Sequence, residues 1–262
     1  NSIHCELDKD AFDRGIVKLN LRHNVNGEEQ NFVAVFPDVY PYMRFEIFAP
    51  NLNLEHHQNP FQKNICLIGR STANWRTSDT VARFLLSRLP NVIQTGITSD
   101  PLEAKNLEEP QGEPITSYYT YFPNSCVLID SSWSIDPSVN GGILELGIDR
   151  TLNSGIYCAI YVVKDRSRKI IAEAAPELIN LYPSRIEGRW VRCKKPILEN
   201  DKNQFYKQLV AQDRSLENPK WQQLNKRKVS IIGALFPEEV EWRKQKDGWL
   251  FLVLDQGGKI PK

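Results

Sequence analysis

Residues 44–67 read Arg-Phe-Glu-Ile-Phe-Ala-Pro-Asn-Leu-Asn-Leu-Glu-His-His-Gln-Asn-Pro-Phe-Gln-Lys-Asn-Ile-Cys-Leu. A short apolar strand, Arg44–Ala49, runs into a stretch with no helical or strand period. That stretch continues to Thr77 and is rich in Asn, His, Pro and Gly. Long irregular segments in compact domains are usually functional or disordered. Phe61, Ile65, Leu67, Ile68 and Trp75 stud this one, so it is expected to pack on a core. Upstream, Ile16–Leu21 and Asn31–Phe36 alternate or run apolar around Asn26-Gly27, a pair whose residues both accept positive φ. With Phe36-Pro37-Asp38-Val39-Tyr40-Pro41 as a rigid turn, three antiparallel strands are expected as a meander over 16–49. Downstream, Thr77 or Ser78 can cap a helix and Asp79 sits in its positive first turn. Val81, Phe84, Leu85 and Leu89 recur at helical spacing, and Pro90 is expected to end the element.

The chain has 262 residues, 41% hydrophobic and 25% charged. At roughly 100–200 residues per domain this fits a globular protein of one large or two ordinary domains. Formal charge is +1, which argues against nucleic acid or an anionic membrane as the main partner. Residues 1–114 hold 11 Lys+Arg against 15 Asp+Glu, and the remainder 22 against 17. That asymmetry fits two domains. The longest apolar runs, such as Tyr157–Val163 and Trp249–Leu254, are strand-sized, and no signal-peptide pattern opens the chain. Five cysteines, none closer than 32 residues to another, form no CxxC pair. A disulfide framework or zinc knuckle is therefore disfavoured, and a reducing cytoplasm is expected.

Asp100–Pro114 carries three prolines and five acids, and its second half reads as a linker. The expected organisation is a domain at 1–102, a linker at 103–114 and a β-rich domain at 115–262. In the latter, strands are expected at 125–130, 143–149, 155–164, 189–197, 228–235 and 249–255. One helix is expected near Asp201–Gln212.

The ordered set of motifs in the first segment resembles the ubiquitin-conjugating enzymes. Tyr40-Pro41 before strand 44–49, the loop His56-His57-Gln58-Asn59-Pro60, Asn64-Ile65-Cys66-Leu67, Trp75, the helix with Phe84-Leu85-Leu86-Ser87, and Asp100-Pro101-Leu102 follow one another as that family's motifs do. The resemblance covers about residues 15–105. One residue is missing between Asn59 and Cys66, Trp75 stands one place late with Asn74 at the family's position, and the usual N-terminal helix is missing or lies upstream of Asn1. These departures resemble the divergent bacterial conjugating domains of antiphage defence operons, some fused to a ThiF-type activating domain. The segments Leu235–Trp242 and Gly248–Phe251 look like the region before such a domain. On this resemblance the chain, which opens at Asn1 rather than Met, is expected to be the conjugating plus linker region of a longer protein.

The resemblance implies an α+β, UBC-like fold with an antiparallel meander, an active-site loop and a helix, followed by the β-rich adaptor domain. It implies thioester transfer. Cys66 accepts the C-terminal carbonyl of a ubiquitin-like modifier, or a target protein's C-terminus, from a ThiF-type activating enzyme in cis or in trans, and passes it to a target amine. Thiolate is both a good nucleophile and a good leaving group. An amide donor can stabilise the oxyanion, and removing one such donor costs about 2.7–4 kcal/mol of barrier. Asn59 is the candidate donor, with Asn64 and Asn74 as alternatives, and Asp100 would orient or deprotonate the amine. His57, Asn64 and Trp75 would support the site. No metal or small cofactor is implied, and ATP enters only through the activating enzyme. No nucleic acid or membrane partner is implied.

Each residue also has a plainer reading. Cys66 between Ile65 and Leu67 can be a buried small hydrophobe; Asn59 and Asp100 stand before prolines and can set turns; Trp75 can be a wall of the core. Cys5, Cys126, Cys158 and Cys193 are read as structural. Two rival functions remain: a catalytically silent scaffold of the same fold that binds a ubiquitin-like protein or an activating enzyme, and a thiol hydrolase pairing His56 or His57 with Cys66.

Overall fold

Two elements lie ahead of the expected meander. These are β1 (His4–Leu7), antiparallel to the next strand, and the five-residue α1 (Lys9–Asp13), capped by Asp8 accepting from the Ala11 amide at 3.0 Å. A computed structural model of the chain describes residues 3–25, 27–54, 56–67, 75–97, 114–121, 125–149, 155–182, 184–217, 229–241 and 244–255. It is mixed α/β, rich in strands and with few helices. Two compact units result, one of residues 1–113 with 241–244, the other of residues 114–240 with 245–262.

In the first unit, β2 (Lys18–Val25) and β3 (Glu28–Val35) pair antiparallel from Lys18↔Val35 to Val25↔Glu28. Both strands run further than their apolar alternation alone indicated. A two-residue connection lets the ladder continue to the turn, where Gly27 takes φ +91° and donates its amide to Asn24 Oδ1. Asn26 itself lies outside the described residues. Alternate residues Leu21, Phe32 and Ala34 face the core. β4 (Glu46–Phe48) and β5 (Asn64–Ile65) extend the sheet in the order β1-β2-β3-β4-β5.

The helix α2 (Val81–Ile97) differs from expectation at both ends. Thr80, not Thr77 or Ser78, caps it. Its Oγ1 accepts from the Arg83 amide at 3.3 Å and its carbonyl from Phe84 at 3.1 Å, while Asp79 ties back to the Arg76 amide. Pro90 does not end it. An interior proline forfeits one backbone hydrogen bond and costs about 3 kcal/mol. Beyond it, however, Val92 and Ile93 are almost fully buried. Burial of such side chains is worth about 1.5–3 kcal/mol each, enough to carry the helix about two turns past the proline.

The second unit is built on one seven-stranded sheet. Its strands are β6 (Ser125–Leu128), β7 (Gly141–Asp149), β8 (Ile156–Asp165), β9 (Ile170–Glu173), β10 (Ser184–Arg192), β11 (Val229–Glu241) and β12 (Lys244–Asp255). The order is β12-β11-β10-β7-β8-β6, with β9 beside β8 beyond the end of β6. β10 pairs parallel to β11 and antiparallel to β7; β6 runs parallel to β8. β9 and the short α3 (Pro176–Ile179) were not expected from the sequence. β10 lies earlier than the 189–197 expected, because Pro196 lacks an amide hydrogen and Ser184–Val191 find partners along the whole of β7. The expected second helix is α4 (Lys202–Gln212), capped by Asp201 accepting from Gln204 at 2.9 Å. Phe205 and Leu209 pack on Val191, Ile232, Ala234 and Phe236. The opposite face buries Trp190, Leu144, Ile160 and Leu235, with Trp133 and Val139 against them.

Side chains fasten the irregular segments to this sheet. Arg192 donates to the carbonyls of Val139 and Ile135 and pairs with Asp247 at 2.9 Å. Glu238, 8% exposed, accepts both the amide and the hydroxyl of Thr116. Tyr161 crosses over Gly147, where a Cβ would stand 1.7 Å from its hydroxyl. That hydroxyl donates to the Tyr182 carbonyl at 2.8 Å and accepts the Tyr182 amide at 3.0 Å. Gly147→Ala should therefore displace the ring and break both bonds. We expect a loss of about 3 kcal/mol in denaturant unfolding, at the upper end of overpacking substitutions.

Candidate functional site

The irregular stretch after β4 is buried where the sequence is most polar. His56, His57, Gln58 and Asn59 are all less than 9% exposed. Buried backbone groups require hydrogen-bond partners, and here a short hairpin supplies them. The Asn59 amide donates to the Asn64 carbonyl at 2.9 Å, Gln58 forms a bridge with Ile65, and the Cys66 amide donates to the His57 carbonyl at 2.7 Å. On its other side β5 pairs with β4, Ile47↔Ile65 and Phe48↔Asn64, and the Ala49 amide donates to the Lys63 carbonyl. Residues 57–59 thus lie along the outer side of β5. Cys66 stands half-buried at the end of that strand, across the pair from His57.

Two residues of the hairpin have left-handed backbone, His57 at φ 62° and Lys63 at φ 64°. A non-glycine residue there costs about 1–2 kcal/mol, so the conformation is held by its surroundings. Gln58, which sequence reasoning passed over, does much of the holding. Its Oε1 accepts the Leu54 amide at 2.8 Å, and its Nε2 donates to the carbonyls of Ala49 at 3.0 Å and Lys63 at 3.4 Å. Lys63 Nζ donates to Asn53 Oδ1 at 2.8 Å. The signal that would have found Gln58 is an amide, able to donate and accept at once, in a loop otherwise predicted to be packed.

Asn59 is committed at one end. Its Oδ1 accepts the amides of Phe61 at 2.9 Å and Gln62 at 3.1 Å, the turn-setting role that the sequence allowed. Only its NH2 end is a donor suited to an oxyanion. Asn64, half-buried two residues before Cys66, has a buried Oδ1 with no hydrogen-bond partner among the described residues. Trp75 packs against the core of the first unit. Its Nε1 donates to the Pro41 carbonyl at 2.7 Å, and its ring meets Tyr40, Phe45 and Phe84 at 5.4–6.1 Å between centroids. From α2, Gly96 approaches so closely that a Cβ would meet the His56 carbonyl at 2.9 Å. Asp100 and Asn74 lie outside the described residues.

Both histidines are buried. Burial, helped by the charge of His56, pushes His57 down to about 4, so its imidazole is neutral at physiological pH. Among the other cysteines, Cys158 and Cys193 are buried, and burial raises the Cys193 thiol to about 11. Cys5 and Cys126, read as structural, are instead exposed. They sit on β1 and β6, strands at the edges of their sheets, where a side chain has fewer neighbours. Among the described residues no group of three or more His, Cys, Asp or Glu is placed to hold a metal ion, and no helix is long and apolar enough to cross a membrane.

Residues 6–127 match the family model Prokaryotic E2 family B. The match includes Cys66 and the whole hairpin, and it supports a bacterial E2-like domain over these residues. The chain is also similar to two uncharacterized proteins of Sinorhizobium fredii (strain NBRC 101917 / NGR234). It is 27% identical to y4oA over 239 residues, 83% of this chain and 40% of that protein. It is 29% identical to y4qC over 165 residues, 57% of this chain and 26% of that protein. The chain therefore spans well under half the length of either relative.

The His57 environment has a measurable consequence. In the unfolded chain this imidazole binds a proton below about 6.5, whereas in the fold it refuses one until about 4. Stability therefore rises with pH across that window and falls as pH drops from 6.5 towards 4. The difference amounts to ~3 kcal/mol. His57→Asn tolerates the left-handed backbone and does not titrate. The gap in unfolding free energy between this variant and the wild type should move by ~3 kcal/mol in the variant's favour between pH 7 and pH 4, measured by urea titration at each pH.

Proposed function

We propose that the first unit is a UBC-like conjugating domain in which Cys66 is the acyl acceptor, and that residues 115–262 form its adaptor. The observation that carries this reading is the E2 family match across Cys66, on a chain whose Cys66 is half-exposed at the end of a braced strand. The Cys66 thiolate attacks the carbonyl of a ubiquitin-like modifier's C-terminus, activated as a thioester on a ThiF-type enzyme or domain, and displaces that enzyme's thiolate. A target amine then attacks the new thioester, an amide forms, and Cys66 leaves as thiolate. Asn59 through its NH2 group, or Asn64, stabilises the oxyanion, and Asp100 receives or orients the amine proton. Trp75 and His57 hold the walls of the site. ATP is consumed only by the activating enzyme, and this part of the protein needs no metal or cofactor. The setting is a bacterial cytoplasm, in antiphage defence.

A second reading has one observation in its favour. The Asn59 carbonyl end is spent on a turn, as it would be in a silent scaffold that binds a modifier or an activating enzyme without accepting an acyl group.

Intact mass spectrometry without reductant separates the two. The protein is purified after co-expression with the activating enzyme and ubiquitin-like protein encoded beside it. The wild type should carry a protein-sized adduct that thiol removes, Cys66→Ala should carry none, and Cys66→Ser should carry a thiol-resistant ester. No adduct, with the activating enzyme shown to be charged, would leave the scaffold reading.

A further inference from the structure

We infer that Gln58 is the positioning residue of the Cys66 site, the side chain that fixes where the thiol stands. The inference rests on the reading of Cys66 as acyl acceptor for its meaning, although its test reads the thiol itself. The buried amide of Gln58 joins three separate pieces of backbone: the end of β4 at Ala49, the outgoing loop at Leu54 and the returning strand at Lys63. Gln58 also occupies the central rung of the hairpin, opposite Ile65, and the next rung is the bond from the Cys66 amide to the His57 carbonyl. The left-handed residues His57 and Lys63 bracket it. A hairpin with two unfavourable backbone conformations keeps its register only while something over-determines it. Here the Gln58 amide does so, at a distance of eight residues from Cys66 along the chain but one rung away in space.

Gln58 touches no reacting atom in this scheme and acts through the backbone. A side chain of equal size without the amide should fill the volume and release the hairpin. The introduced carboxyl of Gln58→Glu should act in two ways. Protonated, it can still accept from Leu54 and donate to one of the two carbonyls. Ionised, it can only accept and faces both carbonyl oxygens. His56, His57, Lys63 and Cys66 are the other titratable groups described around this rung; His57 is neutral above pH 5, and the wild type measured at each pH carries all four, so a divergence between variant and wild type reports on position 58.

The experiment is alkylation of the folded protein by N-ethylmaleimide, with each thiol followed by peptide mass spectrometry and exposed Cys5 as internal reference. In Gln58→Leu the rate ratio of Cys66 to Cys5 should rise about tenfold over the wild type, the effect of losing roughly one net hydrogen bond of local stability. In Gln58→Glu the ratio should match the wild type at pH 5.5 and approach the Gln58→Leu value by pH 8, with the wild type measured at each pH. A ratio within twofold of the wild type in Gln58→Leu, or the absence of a pH-dependent divergence in Gln58→Glu, overturns the inference. If Gln58→Leu fails to fold, the near-isosteric Gln58→Glu carries the test alone. Release of the thiol in a protein that never loads a modifier would uphold the clip and sink the acyl-acceptor reading, so the two failures are distinguishable.

Discussion

Backbone that is buried without a ladder must find its hydrogen bonds elsewhere, and both units of this protein are organised around that constraint. In the first unit the polar run His56–Asn59 lies under the surface although no long strand accounts for it. The hairpin from His57 to Cys66 resolves the problem with three backbone contacts and two side-chain amides. Gln58 satisfies Leu54, Ala49 and Lys63, and Asn59 satisfies Phe61 and Gln62. The position of Cys66 is a by-product of that accounting, because its amide is one of the groups being satisfied.

The second unit meets the same constraint with longer side chains. Arg192 reaches from β10 to the carbonyls of the loop before β7, Trp190 donates its indole N–H to the Lys164 carbonyl, and Glu238 captures Thr116. Each bond joins residues distant in sequence, and each anchor lies on a strand of the sheet.

The chemistry of the site follows from the same burial. Removing His57 from water leaves its imidazole neutral at physiological pH. The hairpin that carries Cys66 is braced by the neutral amides of Gln58 and Asn59. Neutral donors held in place are the equipment that acyl transfer needs, since charge develops on the carbonyl oxygen only during attack.

Local chemistry made much of this legible from the chain. Alternation around Asn26-Gly27 marked the hairpin of β2 and β3, Asp201 marked α4, and the ordered motifs from Tyr40 to Trp75 marked the conjugating-like region before any coordinate was known. These signals are short-range, and a sequence carries short-range information openly. Long-range contacts decided the rest. Whether Pro90 ends α2 depends on the burial of Val92 and Ile93 beyond it; whether β10 begins at Ser184 depends on β7 being there to pair with. Gln58 was invisible as an anchor because its three partners come from separate segments. Neighbouring residues could name the polar loop and its cysteine, but only the folded chain could show which amide holds them.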